Sequence, residues 1–493
     1  MVIRLCIEYV NYFFFAYAFV LSAMYLFTGI LSGIELRNYK NKNRYVDYNR
    51  MLTFQVLPSV SIIAPAYNEE KTIISNIKCL LALQYKDYEI IVVNDGSSDT
   101  TLKKIIDYFD LVRSDKVYES DLHCAHIRGV YESKNLAYSH LVVVDKENGG
   151  KADALNAGIN LSKNDLFLAI DVDCIIEPDA ILKMVKPFVD ETEKTVIASG
   201  GVIRIANSCE IVNGKITKIQ YPKNIWAKFQ VLEYFRAFTL GRMAWSKLNG
   251  LLIISGAFGL FDRKRVINIG GYDKNSVGED LELVVRLRRY MHDVERKRYK
   301  VAFIPDPMCW TEVPETLKLL SIQRNRWARG GIGTIIKHRK MFLNPKYGLI
   351  GIISFPYWIF FEWLAPIVQL SGIIYFILIT SMGLLDLRVF YSLLFFVLTF
   401  TGTYSILAIF LEAYTYNKYH GLRYLSQSML FAALELIIYQ PLNMILSIRG
   451  NFDFFFKKDK KHWGEMTRNG FTHKPSFIPV LMTEDEIEKS HLN

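Results

Sequence analysis

Val60-Ser61-Ile62-Ile63-Ala64-Pro65-Ala66-Tyr67-Asn68-Glu69-Glu70 and, after a helix-length segment, Tyr88-Glu89-Ile90-Ile91-Val92-Val93-Asn94-Asp95-Gly96-Ser97-Ser98-Asp99 decide the fold of this chain. Each is a short apolar run that ends in polar residues, and the alternation of such runs with amphipathic segments continues to about residue 320. This is the βαβ rhythm of an α/β domain whose mostly parallel sheet carries flanking helices. Ligands of such sheets bind beyond the carboxyl ends of the strands, so the residues that follow each apolar run come first as candidates.

After the first run stand Tyr67 and Glu69, and after the second Asp95 beside a Gly-Ser turn; either motif alone is as readily an ordinary turn. A dinucleotide fold would need G-x-G-x-x-G after the first strand, and the sequence has none there. Gly149-Gly150-Lys151-Ala152 lacks the upstream glycine and the Ser or Thr of a P-loop. Lys151 still opens a helix-like segment over 151–159, where a lysine would meet phosphate near positive backbone amides. The third run, Leu166-Phe167-Leu168-Ala169-Ile170, ends in Asp171-Val172-Asp173. Carboxylates at i and i+2 of an extended backbone point the same way, and hard oxygens suit Mg²⁺ or Mn²⁺; a pair of helix caps is the competing reading. Ser255-Gly256-Ala257 joins two apolar runs with small residues that let a loop pass under a substrate. Gly278-Glu279-Asp280 opens another helical pattern, where an acid serves equally as a cap or as a base. About forty residues later come Gln323-Arg324-Asn325-Arg326-Trp327, just before the chain turns almost wholly apolar.

The apolar content reaches 51%, with mean hydropathy +0.15, which calls for a membrane part in a chain of 493 residues. Residues 9–34 are nearly free of charge and long enough to cross a bilayer, and Arg37, Lys40, Lys42 and Arg44 follow at once. The positive-inside rule then puts the N-terminus outside and the α/β domain in the cytosol. The net charge of +10 is not gathered into one basic tail and so does not by itself indicate nucleic acid. Six cysteines, with no C-x-x-C pair, read as reduced thiols, again cytosolic. Three apolar stretches follow the basic-apolar segment 321–346, near 347–380, 388–414 and 424–448. Three simple crossings would leave the tail outside, whereas Lys457, Lys458, Lys460 and Lys461 favour inside. One stretch is therefore expected not to cross simply: 347–380, broken by Pro356 and Pro366, or else a re-entrant 424–448. Glu362, Gln369, Glu435, Gln440 and Asn443 are polar at membrane depth, where they line a path or bond helix to helix.

Taken together, Asp95, Asp171-Val172-Asp173, Glu279-Asp280 and Gln323-Arg324-Asn325-Arg326-Trp327 resemble the D, DxD, ED and QxxRW series of processive family 2 glycosyltransferases, over roughly residues 58–331. That family includes the cellulose, chitin, hyaluronan and poly-N-acetylglucosamine synthases. The sequence departs from it at Gly278, where many members carry Thr. The resemblance implies a GT-A-type α/β fold inserted between N- and C-terminal transmembrane helices. It divides the chain into a transmembrane helix (1–36), a linker (37–57), the transferase domain (58–320), the QxxRW and interfacial helices (321–346), a transmembrane bundle (347–448) and a cytosolic tail (449–493). It further implies that Tyr67, Glu69, Asp95, Lys151 and Asp171 hold the donor nucleotide, and that Asp173 with Asp171 holds Mg²⁺ or Mn²⁺. Asp280, beside Glu279, would be the catalytic base, with Ser255, Gly256, Gln323, Arg326 and Trp327 on acceptor and diphosphate. His462-Trp463-Gly464-Glu465-Met466-Thr467-Arg468 resembles the gating loops of the family, so Trp463, Thr467 and Arg468 would close over the nucleotide.

The implied activity is inverting, processive polymerisation of a β-linked exopolysaccharide from a UDP-sugar, with UDP-N-acetylglucosamine favoured, at the cell membrane. The implied partners are that donor, the growing polysaccharide, the lipid bilayer and an export or accessory subunit, and not nucleic acid. A non-processive transferase acting on a lipid carrier, or an inactive nucleotide-sensing membrane scaffold, would share many of these residues.

Overall fold

A computed structural model describes residues 2–53, 57–115, 118, 120–212, 215–416, 418–419 and 421–457. The expected gating residues Trp463, Thr467 and Arg468 lie outside the described residues. The strands are β1 Val60–Ala66, β2 Tyr88–Asp95, β3 Leu111–Ser114, β4 Ile127–Ser133, β5 Leu141–Lys146, β6 Leu166–Ile170, β7 Ile175–Ile176, β8 Thr195–Ile205, β9 Glu210–Val212, β10 Lys215–Lys218, β11 Phe258–Asp262 and β12 Tyr299–Thr311. Ten of them form one sheet in the order β3-β4-β5-β2-β1-β6-β11-β8-β12-β7, and β9 and β10 pair separately.

The sheet is mixed. Its centre, β5-β2-β1-β6, is parallel, as the apolar runs predict, and these strands are buried on both faces rather than alternating. The flanks are not: β3-β4-β5 is antiparallel, and β11 inserts antiparallel between β6 and β8. That insertion matters for the site. A strand antiparallel to β6 starts where β6 ends, so Phe258 pairs with Ile170 and the preceding Ser255-Gly256-Ala257 lies beside Asp171. The Asp171 N–H donates to the Ala257 carbonyl at 3.4 Å.

Among the described residues, three helices are long and apolar enough to cross a membrane: Val2–Asn43, Leu387–Thr415 and Leu422–Phe456. A fourth candidate is the pair Ile350–Trp363 and Ala365–Ser381, bent by 43° next to Pro366. The contacts order them in depth. Starting from the N-terminal end of Val2–Asn43, Asn11 meets Tyr375 at 2.9 Å and Tyr17 meets the Phe360 carbonyl at 2.8 Å. Farther along, the Tyr25 ring stacks on Tyr404 with centroids 4.5 Å apart, and Lys40 reaches the Tyr414 carbonyl. The 350–381 pair therefore climbs along this helix and the 387–415 helix descends beside it. The 422–456 helix behaves differently, touching residues that precede the apolar half along its whole length. Tyr424 packs on Tyr221, Glu435 pairs with Arg236, Tyr439 bonds Glu233 and Asp453 accepts from Asn325.

The junction between the sheet and the apolar helices is fastened by buried charge. Arg204 of β8 and Glu412 of the 387–415 helix form an ion pair with both side chains 1% exposed. Removing one partner strands the other in a dry interior. Arg204→Ala is therefore expected to lower the stability of the detergent-solubilised protein by about 3–5 kcal/mol, read from thermal melts, whereas the double change Arg204→Met with Glu412→Leu recovers most of the loss.

Candidate active site

The carboxyl edge of the sheet opens into a cavity of about 1140 Å³ that continues between the apolar helices. Of the residues singled out in the sequence, Lys151, Asp171, Ser255, Gly256, Glu279, Asp280, Gln323, Arg326 and Trp327 all line it. They come from five separate places: the start of the Lys151–Leu161 helix, the end of β6, the loop before β11, and the helices Glu279–Tyr290 and Leu317–Lys337.

Lys151 ties these together. Its ammonium pairs with Asp171, lies 3.7 Å from a Glu279 oxygen and donates to the Gly256 carbonyl at 3.1 Å. Burial alone would lower its pKa, but the carboxylates of Asp171 and Glu279 outweigh burial and hold it above the ordinary lysine value. The Gly256 N–H in turn donates to Asp280 Oδ2 at 2.9 Å, and the Leu281 N–H to Oδ1 at 2.8 Å. Both oxygens of Asp280 are thus aimed by backbone at the cavity wall. For Glu279, burial comes first and the neighbouring Asp280 adds to it, pushing the carboxyl up to about 7 against the pull of Lys151.

Tyr67, Glu69, Asp95 and Asp173 do not line this cavity. Tyr67, at 52% exposure, stands beyond β1, and Glu69 accepts from the Thr72 hydroxyl at 2.9 Å. Asp95, 3% exposed, gives its carboxylate to the chain itself: to Lys146, to Gly149 N–H at 3.0 Å and to Gly150 N–H at 2.8 Å. Gly150 takes a φ of +87° there, open to glycine, which lets the loop hand directly into the helix that begins with Lys151. Asp95 therefore fixes the lysine's loop. Asp173 is buried two residues past the cavity-lining Asp171. Among the described residues no group of three or more acidic, His or Cys side chains converges. Two carboxylates at a strand end nevertheless fit an ion such as Mg²⁺ or Mn²⁺, which takes one or two protein carboxylates and completes its shell with water and substrate phosphate. The cation already paired with Asp171, the Lys151 ammonium, agrees with a position built for positive charge.

Asp280 and Trp327 are held in register by two contacts that the sequence does not announce. Gly278 and Gly330 touch backbone to backbone: a Cβ on Gly278 would stand 2.9 Å from the Gly330 Cα, and a Cβ on Gly330 2.7 Å from the Gly278 Cα. Gly278 caps the helix of Asp280, and Gly330 lies one turn past Trp327. This pairing explains the departure at Gly278, since no side chain fits there. Deeper in, Glu282, 0% exposed, joins the two helices by accepting from Lys337 at 2.6 Å and from His338 at 3.2 Å, with Arg286 at 2.9 Å. Burial would raise the Glu282 carboxyl, but His338, Arg286 and Lys337 bring it down to about 2. Trp327 remains 44% exposed in the cavity, with the Arg324 guanidinium 4.2 Å from its ring centroid. Arg324 is fixed by two 2.7 Å hydrogen bonds to Glu233.

Sequence reading also passed over the cavity wall formed by Ile225–Tyr234 and the turns that follow it, where Tyr234, Phe238, Arg242 and Trp245 line the space. No motif marks them; only the four-residue spacing of Tyr234, Phe238 and Arg242 hints at one helical face. Of the polar residues expected at membrane depth, Glu362 and Gln440 line the cavity. Glu435 instead pairs with Arg236.

Gly330→Ala should push the two helices apart and lower the stability by about 1–3 kcal/mol, as overpacking does, measured by thermal melts. Glu282, with its carboxyl at about 2 against an ordinary 4.5, adds stability that is complete above pH 4.5 and is lost as pH falls toward 2. Glu282→Gln is therefore expected to cost on the order of 3 kcal/mol at pH 7 and to flatten the acid limb of the stability profile, measured by thermal melts across pH.

The profile described as "Glycosyl transferase family 2" matches residues 61–243, and that of "Glycosyl transferase family group 2" matches residues 167–419, just over half of the chain. A poly-beta-1,6-N-acetyl-D-glucosamine synthase of Staphylococcus aureus (strain COL) is 29% identical over 317 residues, 64% of this chain and 65% of that protein. The synthase of the same name from Staphylococcus epidermidis is 28% identical over 284 residues, 57% of each chain. The chain thus matches somewhat under two thirds of the length of these relatives. Among solved structures, the mannosyltransferase PcManGT from Pyrobaculum calidifontis in complex with GDP-Man and Mn2+ resembles it with a TM-score of 0.51 at 17% identity, over 90% of this chain and 99% of that one. This likeness covers the α/β sheet and the apolar helices together and speaks for the fold. With the acidic residues at its strand and helix ends and a family profile over more than half its length, the chain belongs to the family 2 glycosyltransferases.

Proposed function

We propose that this protein is a membrane-embedded, inverting and processive glycosyltransferase that builds a β-linked polysaccharide from a UDP-sugar and passes the chain out between its own helices. The observation that carries this reading is the continuity of one cavity from Asp171 and Asp280, past Trp327, to Glu362, Tyr404 and Gln440 among the apolar helices. A transferase that adds one sugar has no need of such a passage. UDP-N-acetylglucosamine is the donor we infer, on the strength of the named staphylococcal synthases.

Each residue then has a task. The donor diphosphate lies against Lys151, with Asp95 holding the lysine's loop and Tyr67 and Glu69 nearer the nucleoside. Asp171 and Asp173 would hold Mg²⁺ or Mn²⁺, which when bound spreads the charge of the departing diphosphate. An acceptor hydroxyl oxygen attacks the anomeric carbon as the bond to the diphosphate breaks, and Asp280 takes the hydroxyl proton. Attack from the face opposite the leaving group inverts the centre and makes a β-linkage from an α-linked donor. Ser255 and Gly256 form the floor under the transfer. Trp327 offers a flat apolar face to the terminal sugar, while Gln323 and Arg326 supply donors to its hydroxyls or to the diphosphate.

The depth order of the helices supports three crossings, by 2–43, 350–381 and 387–415. The 422–456 helix, apolar as it is, lies along the α/β unit, and its end returns to Asn325. An outside N-terminus then gives a cytosolic transferase and a cytosolic tail, which satisfies the basic residues after 456.

The test is product length. Purified protein given a panel of radiolabelled UDP-sugars with Mg²⁺ or Mn²⁺ should make long polymer from one of them; a single sugar added to lipid would overturn polymerisation. Asp280→Asn should cut transfer by about 10²- to 10⁴-fold with UDP affinity kept, and an unchanged rate would remove Asp280 as the base.

A further inference from the structure

One wall of the cavity takes no part in holding the donor or the base. It is the helical run Ile225–Tyr234, Phe235–Arg242 and Met243–Lys247, whose middle part is wound as a π-helix. Such wide turns are rare and concentrate at functional sites. Here the wider winding ends at Arg242, which lines the cavity with its guanidinium 4.0 Å from the centroid of the Phe238 ring.

Two other cations of the cavity are committed to acids: Lys151 to Asp171 and Glu279, and Arg236 to Glu435. Arg242 makes no ion pair among the described residues, and its Nη1 is buried with no hydrogen-bond partner there. Burial brings its pKa down to about 10, and Asp280 is the carboxylate that acts against this, with Tyr234. A buried donor left unsatisfied in the free protein is a cost that a ligand's oxygens remove. The ligand is constrained from two sides. The diphosphate end of the site is marked by Lys151 at Asp171, whereas Arg242 acts on Asp280. A guanidinium fork backed by aromatic rings is also the surface that a sugar needs, its hydroxyls taking the N–H groups and its apolar face lying on a ring.

We propose that Arg242 is a positioning residue for the acceptor: its guanidinium donates hydrogen bonds to hydroxyl oxygens of the terminal acceptor sugar and sets the attacking hydroxyl on Asp280. This deepens the polymerase reading and rests on it. The experiment uses the full-length protein in nanodiscs, the UDP-sugar that the wild type polymerises, and oligosaccharides of the same sugar as acceptors. Arg242→Met should raise the acceptor KM at least tenfold, while UDP affinity by calorimetry stays within twofold. Arg242→Lys, which keeps the charge and guards against misfolding, should recover part of the loss. Parallel loss of UDP affinity in a folded variant would place Arg242 on the diphosphate and overturn the proposal, as would an unchanged acceptor KM. If the wild type itself transfers no sugar, the polymerase reading fails; if the wild type transfers and Arg242→Met matches it, only the Arg242 assignment fails.

Discussion

The site depends on one close contact, the backbone of Gly278 against the backbone of Gly330. Dispersion and backbone packing at that distance tolerate no extra atom, so the contact sets the gap between two helices that otherwise share only charge. On one helix is the carboxylate that can take a proton, and on the other the indole on which a sugar can lie. The buried Glu282, reaching Lys337 and His338 from the first helix to the end of the second, holds the same register from below. Under the polymerase reading proposed above, such a frame lets the acceptor slide while Asp280 and Trp327 keep their spacing.

The electrostatics follow the same economy. Carboxylates crowd at the carboxyl edge, and lysines hold them: Lys151 at Asp171 and Glu279, Lys146 at Asp95 and Asp153. Away from the site, ion pairs such as Arg204 with Glu412 and Arg236 with Glu435 fix the apolar helices onto the α/β unit. Buried pairs add little net stability but penalise every arrangement that leaves one partner alone, and so they specify a single docking of the two halves.

Much of this was legible in the sequence because strand ends and helix starts concentrate chemistry. Asp171 ends an apolar run, Lys151, Glu279 and Asp280 open helical patterns, Gln323, Arg326 and Trp327 stand out by resemblance to the QxxRW element, and the cavity gathers them. The mixed flanks of the sheet were not, since an apolar run carries no direction, and β11 looks no different antiparallel than parallel. Asp95 read as an open carboxylate because nothing in the sequence says that Gly149 and Gly150 will turn their N–H groups to it. The role of Gly278 was hidden for a similar reason: its partner is 52 residues away, and only the packed helices bring them together. The wall with Arg242 was missed because a π-helical stretch breaks the 3.6-residue period on which helical faces are recognised. Composition likewise cannot show that the apolar 422–456 helix also reaches residues ahead of the apolar half, such as Glu233, Arg236 and Asn325.

The central claim is that chemistry and transit share one cavity. It is tested at Ser447, which lines that cavity on the 422–456 helix. With the exposed Cys6 and half-buried Cys124 changed to Ser, Ser447→Cys is labelled by a small water-soluble thiol reagent before and during synthesis. The account predicts rapid labelling in the resting enzyme and strong protection once donor is added and a chain occupies the cavity, lost again when polymer is digested. Labelling that stays equally fast while polymer accumulates would contradict it.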